Sequence, residues 1–443
     1  MPTLFRSKIG VPSEPLTVRE MDSGAGVARP KVLAVSFSYP PQTEPRAIQV
    51  SRLLKHLPAS TVLVCSGDAT NKAPYAGQGD AESFLEEVLR VPFSNSSWRN
   101  LLNRISSRVP LPVWSRTPDP LVSWKQPVID AVEQFINSNN YQPDVLVTFA
   151  FPLVDNLIGL ELKRQFPFPW LAHFSDPWVD SPFRKADPLT RALNKRLEQK
   201  VIENADRLVF TSQETADLVM RKYPSALRDK VRTIPHAYES DQFPPRENDG
   251  DGRLAVRYLG DFYLGRTPEP LFKALERLSS TEPELLKEFT FELVGETHGL
   301  DLDTLGLSRL PEGLVSIRSK VNYHESLALM TSAAGLMVID APLNGTDKSV
   351  FLPSKLIEYI GAGRPTIGIT PPGTAANLIR ELGGWVADPR DISQLTNVLR
   401  ECLVYLSVHR GASSSAWGAN DVRAQFEATA VSKKFHQVIR ELT

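Results

Sequence analysis

The sequence predicts an α/β protein of two doubly wound parallel-sheet domains that face each other across a cleft. Three observations predict it. The chain has 443 residues, more than one hydrophobic core can organise, since single cores stop growing near ~250–300 residues. Short β-branched apolar runs alternate with helical periods, the pattern of parallel sheets covered on both faces. A polar, glycine-rich stretch at 246–252 contains no apolar side chain, and after it the alternation starts again.

Lys31 to Phe37 is the first strand, closed by Tyr39-Pro40-Pro41, and the helix over 45–57 carries Ala47, Val50, Leu53 and Leu54 at helical spacing. Thr61 to Cys65 is the second strand, followed by a polar loop from Gly67 to Asp80. Val145 to Phe151 and Trp170 to Phe174 are further buried strands. A helix over 191–204 leads into the strand Arg207 to Phe210, and Thr211-Ser212 open another helix. Beyond 246–252 the spacing predicts strands at 254–260, 289–295, 314–318, 335–339 and 365–369. Between and after them it predicts helices at 268–279, 324–333, 353–362 and 374–382.

The domain reading follows from this order. Residues 1–29 are expected to be a disordered tail; Leu4, Phe5, Ile9 and Val11 are too scattered for the apolar core of a signal peptide. Residues 30–245 make the first domain, 246–252 the linker and 253–420 the second domain. A last amphipathic helix over 421–440, with Phe426, Phe435, Val438 and Ile439 on one face, is expected to return to the first domain within 421–443.

Composition narrows the function. A net charge of −1 supplies no field to attract nucleic acid. Cys65 and Cys402 are the two cysteines and fall in different predicted domains, which fits buried thiols in a reducing compartment. No Cys or His pair stands at metal-ligand spacing, and no run approaches the ~20 apolar residues of a membrane span. The expected location is the cytosol.

The chemistry concentrates in the segment from Leu352 to Pro365. Pro353 suits the first turn of a helix and Gly363 its end. Ser354 and Lys355 then stand beside uncapped amides at the positive dipole end, an anion site strengthened by an ammonium group. Glu358 lies one turn on and can face the same cleft, where a carboxylate could accept hydrogen bonds from ribose hydroxyls. A helix cap with a surface Lys–Glu pair explains the same residues equally well. Earlier in this half, a strand ends at Gly260 and Pro268 opens a helix. Arg266 sits between them, where its planar fork could pair with a diphosphate or simply decorate a loop.

The segment Pro353-Ser354-Lys355-Leu356-Ile357-Glu358-Tyr359 resembles the donor-binding motif of the retaining family-four glycosyltransferases, which have the GT-B fold. Its Pro-Ser-Lys-Leu-x-Glu-Tyr form is typical of one branch. The resemblance implies that Glu358 holds the donor ribose and that Ser354 and Lys355 meet the diphosphate. The loop from Tyr258 to Pro268 looks like the family's first loop in the second domain, where Gly260 and a basic residue, here Arg266, grip the phosphates. Val321-Asn322-Tyr323 with Ser326 resembles the segment that meets the base, which adds Val321 and Tyr323 to the donor-binding set. Further echoes run from about residue 31 to 443: Phe37 to Pro41 with Arg46, and Ala205 to Ser212. The commoner pattern carries another Glu eight residues before Glu358, where this chain has Val350; Asp347, Lys348 and Ser349 are the nearby candidates for the donor sugar's outer hydroxyls.

On the first-domain side, the strand from Trp170 ends in His173-Phe174-Ser175-Asp176, and His173 and Ser175 share a face. His173 or Asp176 could orient the acceptor or the donor sugar, although related sequences often have Asp and Arg at positions 173 and 175. His236 departs from the family's usual Asn-Gly. A satisfied structural His or a capping Asp reads the same residues as well. Asp301-Leu302-Asp303 is read as capping rather than as a metal motif, so no metal and no cofactor is expected. Gly361-Ala362-Gly363 follows a helix and is not a dinucleotide fingerprint. Trp98, Leu101, Leu102 and Ile105 with Arg99, Arg104 and Arg108 could touch a membrane peripherally at its inner face, or form a solvated helix.

The resemblance implies a retaining glycosyltransferase that moves a sugar from a nucleotide-sugar donor to a hydroxyl of a glycan or lipid-linked saccharide in polysaccharide biosynthesis. Arg266 and Lys355 would stabilise the leaving diphosphate. A nucleotide-sugar epimerase of the same fold and a non-catalytic glycan- or nucleotide-binding relative are the alternatives.

Overall fold

The computed structural model describes residues 29–67, 82–93, 117–181, 186–245, 252–263, 265–342, 347–410 and 416–443. Nearly all of the predicted tail, most of the 67–80 loop, most of the 246–252 linker and the basic stretch around Trp98 lie outside them.

The first sheet has seven parallel strands in the order β3-β2-β1-β4-β5-β6-β7: β1 Lys31–Ser36, β2 Ser60–Ser66, β3 Glu87–Val91, β4 Val145–Ala150, β5 Trp170–Phe174, β6 Arg207–Phe210 and β7 Val231–Thr233. The second has six, in the order β10-β9-β8-β11-β12-β13: β8 Leu254–Leu259, β9 Phe289–Val294, β10 Val315–Arg318, β11 Gly335–Ile339, β12 Thr366–Ile369 and β13 Trp385–Ala387. Each order runs outward from a central pair, β1 with β4 and β8 with β11, and reverses direction there. Ligands of doubly wound folds bind at this switch point, outside the carboxyl ends of the strands. The continuous burial of β1, β2, β4 and β5 follows from helices on both faces.

The helices are α1 Pro45–Lys55, α2 Lys125–Asn139, α3 Val154–Gln165, α4 Pro188–Asn204, α5 Gln213–Met220, α6 Glu269–Thr281, α7 Pro283–Lys287, α8 Tyr323–Thr331, α9 Ser354–Ala362, α10 Thr374–Glu381, α11 Ile392–Val408, α12 Asn420–Ala424 and α13 Ala428–Arg440. The second domain has one apolar core on each face of its sheet. In the first domain, α1 and α13 together close one face: Phe435, Val438 and Ile439 join Phe149, Leu171 and Val209, and Ser432 donates to the Leu53 carbonyl at 2.9 Å.

The single last helix predicted over 421–440 is in fact two. Tyr238 accepts from Ala428 N–H at 2.9 Å and donates to the Phe426 carbonyl at 3.0 Å, so the backbone between α12 and α13 bonds sideways instead of continuing the helix. Cys65 and Cys402 are buried free thiols. Among the described residues no helix is long and apolar enough to cross a membrane.

Candidate functional site at the switch points

In the second domain, Gly260 directly follows β8 and takes a φ of 150° that side chains rarely adopt. A Cβ there would run into the Lys355 ammonium. Glycine therefore lets Lys355 lie against the strand end, where its Nζ donates to the Tyr258 hydroxyl at 2.8 Å and stands 4.1 Å from that ring's centroid. Withdrawal from solvent, with Arg266 nearby, pulls the Lys355 pKa down to about 7, against the upward pull of Asp340 and Asp261. Pro353 caps α9 from outside rather than filling its first position, and it makes no side-chain cap bond. Gly363 ends the helix in the left-handed region, φ 60°.

Arg266 donates its Nε–H to Asp340 Oδ1 at 2.9 Å, and Ser349 Oγ donates to Asp340 Oδ2 at 2.6 Å. The guanidinium also lies 4.8 Å from the Tyr263 ring. Burial works against the Arg266 charge, but Asp340 and Tyr263 outweigh it and raise the pKa. Gly260, Arg266, Asp340 and Lys355 thus gather around the β8–β11 switch point, with the α9 N-terminus beside them.

One turn along α9, Glu358 meets the first domain. Arg52 of α1 donates Nη1–H to Glu358 Oε1 at 2.7 Å, with Nη2 3.4 Å from Oε2. The Tyr323 hydroxyl donates to Glu358 Oε2 at 3.3 Å and also bonds Arg52. Tyr323 opens α8, whose N-cap Asn322 accepts from Glu325 N–H at 2.9 Å. Val321 packs against the core shared by α8 and α9.

In the first domain, Arg46 spans the β1–β4 switch point. Its Nη2 donates to the Ala150 carbonyl at 2.6 Å and lies 3.0 Å from His173 Nδ1. The His173 ring is buried on the face closed by α13, 5.6 Å from Phe149 and 6.5 Å from Phe435, with Arg46 the more exposed of the pair. Burial, then Arg46 and His236, hold the His173 pKa well below its ordinary value. His236 is brought down to about 3, by burial and then by Arg46 and Arg52. Burial raises the Asp176 pKa, opposed by Arg46 and by Arg266 from the other domain.

The remaining candidates have partners of their own. Asp347 pairs with Arg390. Ser349 is buried against Asp340, and the Val350 carbonyl accepts from Ser212 and Thr215 of the first domain, each at 3.0 Å. Asp301 accepts from Thr304 N–H at 3.2 Å and from its hydroxyl at 2.7 Å, a turn cap. Sequence reasoning missed Asp340, Tyr258 and Arg52. The signal for Asp340 was an acid placed directly after the wholly apolar β11. Arg52 left none, because it reads as a solvated position on an amphipathic helix.

The family described as Glycosyltransferase Family 4 matches residues 49–242, which lie within the first domain. A D-inositol 3-phosphate glycosyltransferase of Streptomyces avermitilis is 25% identical over 48% of this chain and 47% of its own length. The chain thus spans about half the length of the curated relatives it matches. Among solved structures, HepE of Anabaena in complex with UDP and glucose shares a TM-score of 0.62 at 14% identity, covering 94% of this chain and 100% of that one. Sucrose-phosphate synthase of Thermosynechococcus elongatus shares a TM-score of 0.62 at 18% identity, covering 94% and 99%. These likenesses establish the fold: two parallel-sheet domains in the GT-B arrangement.

Proposed function

We propose that the chain is a glycosyltransferase that moves a sugar from a nucleoside-diphosphate donor to a hydroxyl of a glycan or lipid-linked saccharide, with retention at the anomeric carbon. The observation that carries this reading is the convergence of Arg266, Lys355 and the α9 N-terminus at one switch point, with Glu358 one helical turn away. That spacing suits a diphosphate at the helix end and a ribose at the next turn. HepE, of the same fold, was solved with UDP and glucose, and the matching relative is named for glycosyl transfer.

In this reading the bond between the anomeric carbon and the β-phosphate oxygen breaks, and its electron pair stays on that oxygen. The acceptor oxygen bonds to the same face of the carbon, and its proton passes to the departing phosphate. Arg266, Lys355 and the amides of Ser354 and Lys355 stabilise the growing charge. In this reading Asp176 orients the sugar or acceptor, and His173, 3.0 Å from Arg46 through its Nδ1, acts through that guanidinium. Asp340 fixes the Arg266 fork. Two buried free thiols suit the reducing cytoplasmic compartment, and we place the reaction there.

Incubating the full chain with UDP-, GDP- and ADP-sugars and a panel of oligosaccharide and lipid-linked acceptors tests the reading. Free nucleoside diphosphate should appear in step with sugar on the acceptor, with the donor's anomeric configuration kept in the product's NMR spectrum. An altered nucleotide sugar with no nucleoside diphosphate released would mean an epimerase. Binding without turnover would mean a non-catalytic relative.

A further inference from the structure

Arg52 is 3% exposed, yet it carries a full charge and reaches three parts of the chain. It belongs to α1 of the first domain. Its Nη1 donates to the Ala237 carbonyl at 2.9 Å and its Nη2 to Gln242 Oε1 at 2.7 Å, both in the segment that leaves the first domain for the second. The same guanidinium bonds Glu358 and Tyr323 of the second domain. On its other side Glu239, held by Lys55 and His56 at 2.7 Å each and by Gln242 at 2.6 Å, comes within 4.0 Å of Nε. The fork is therefore fixed before it meets Glu358.

This arrangement leaves Glu358 able to bind. An ionised carboxylate has about four acceptor positions. Arg52 and Tyr323 take one good position on Oε1 and weaker ones on Oε2, so each oxygen keeps capacity, and the side chain is 15% exposed. Arg52 Nη1 holds one carboxylate oxygen, and the Tyr323 hydroxyl, itself bonded to Arg52 Nη2, holds the other; two donors fixed on one guanidinium set the plane of the carboxylate, and a vicinal diol needs that plane held.

We propose that Arg52 is a positioning residue for nucleotide binding: from the first domain it holds the Glu358 carboxylate in the orientation that accepts the ribose diol. The nucleotide site is then completed by a residue of the first domain. The inference rests on the reading of Glu358 as the ribose carboxylate.

Calorimetric titration of the full chain with UDP, GDP and ADP, and with their 2′,3′-dideoxy analogues, tests it. The readout is the ratio of the dideoxy Kd to the ribose Kd. The wild type should prefer the ribose form roughly tenfold or more, as for a charged hydrogen bond. That ratio should collapse towards one in Arg52→Met and in Glu358→Gln, and the double variant should be no worse than Glu358→Gln alone. Arg52→Lys, which keeps the charge but loses the fork, should fall between and serves if Arg52→Met does not fold. An Arg52 variant that weakens both nucleotides equally would make Arg52 a structural tie and overturn the proposal. Tighter nucleotide binding in Arg52→Met would overturn it too, by showing that Arg52 occupies the diol's place. An unchanged ratio in Glu358→Gln, or no binding to the wild type, would remove the ribose reading itself and this inference with it. Loss of preference in Glu358→Gln with none in the Arg52 variants would remove Arg52 alone.

Discussion

Arg266 and Asp340 form a 2.9 Å ion pair at the β8–β11 switch point, with both side chains largely buried. The Arg266 guanidinium is therefore held in one orientation by a carboxylate on the neighbouring strand end. Removing Arg266 alone would strand a buried negative charge, a strongly destabilising change. Catalysis and folding can be separated with a paired substitution.

Arg266→Gln combined with Asp340→Asn should fold and should lower turnover by ~10²–10³, the usual loss for one preorganised stabiliser of developing charge. Lys355→Met should fall in the same range, and donor affinity should fall less than turnover in both. Initial rates at saturating donor, alongside thermal melts, check this. Near-wild-type turnover in either folded variant would remove that residue from the leaving-group site.

Nucleoside-diphosphate affinity should depend on pH through Lys355. Its pKa of about 7 should rise when a diphosphate binds, because an adjacent anion favours the ammonium form. Binding above pH 7 then takes up a proton, so affinity should fall by up to ~tenfold per pH unit between 7 and 9. Lys355→Arg should flatten the dependence. Calorimetry in two buffers of different ionisation enthalpy counts the protons; a flat profile in the wild type would contradict the assignment.

A third expectation concerns the buried histidines. A guanidinium only donates, so His173 Nδ1, 3.0 Å from Arg46, must accept, and the neutral ring carries its hydrogen on Nε2. In the unfolded chain His173 and His236 take protons near pH 6.5; folded, both resist protonation. Stability should be full above that pH and fall as pH drops through it, by up to about 1.4 kcal/mol per pH unit for each ring. Denaturant melts at pH 7, 6 and 5 should show the fall, and His236→Gln should reduce it. Nitrogen NMR showing a hydrogen on His173 Nδ1 would contradict the tautomer.

Phe435 should matter for the stability of the first domain. It is fully buried and stacks on Phe149 at 6.0 Å, sealing the first sheet with a helix from the other end of the chain. Phe435→Ala should cost ~3–5 kcal/mol in a denaturant melt. A loss under about 1 kcal/mol would mean that α13 does not close that face in solution.

The sequence alone determined the fold class, because burial pattern and strand length are local properties. The apolar runs of β1, β4, β5 and β11 and the boundaries Pro353 and Gly363 of α9 could be read residue by residue. The edge strand β3 escaped, since Glu87 and Arg90 give it a half-exposed pattern, and β7 is three residues long. The 421–440 helix was overextended because the bonds that break it come from Tyr238, far away in sequence.

The candidate site divides the same way. Ser354, Lys355 and Glu358 stood out through their spacing on one helix, and Arg266 through its place before another. Tertiary structure alone decided what those groups touch. Arg52 and Glu358 lie 306 positions apart, and Arg266 and Asp340 lie 74 apart. Local periodicity records which side of an element is buried. It carries no trace of which charge will face it, because that depends on where strands end and how two domains dock.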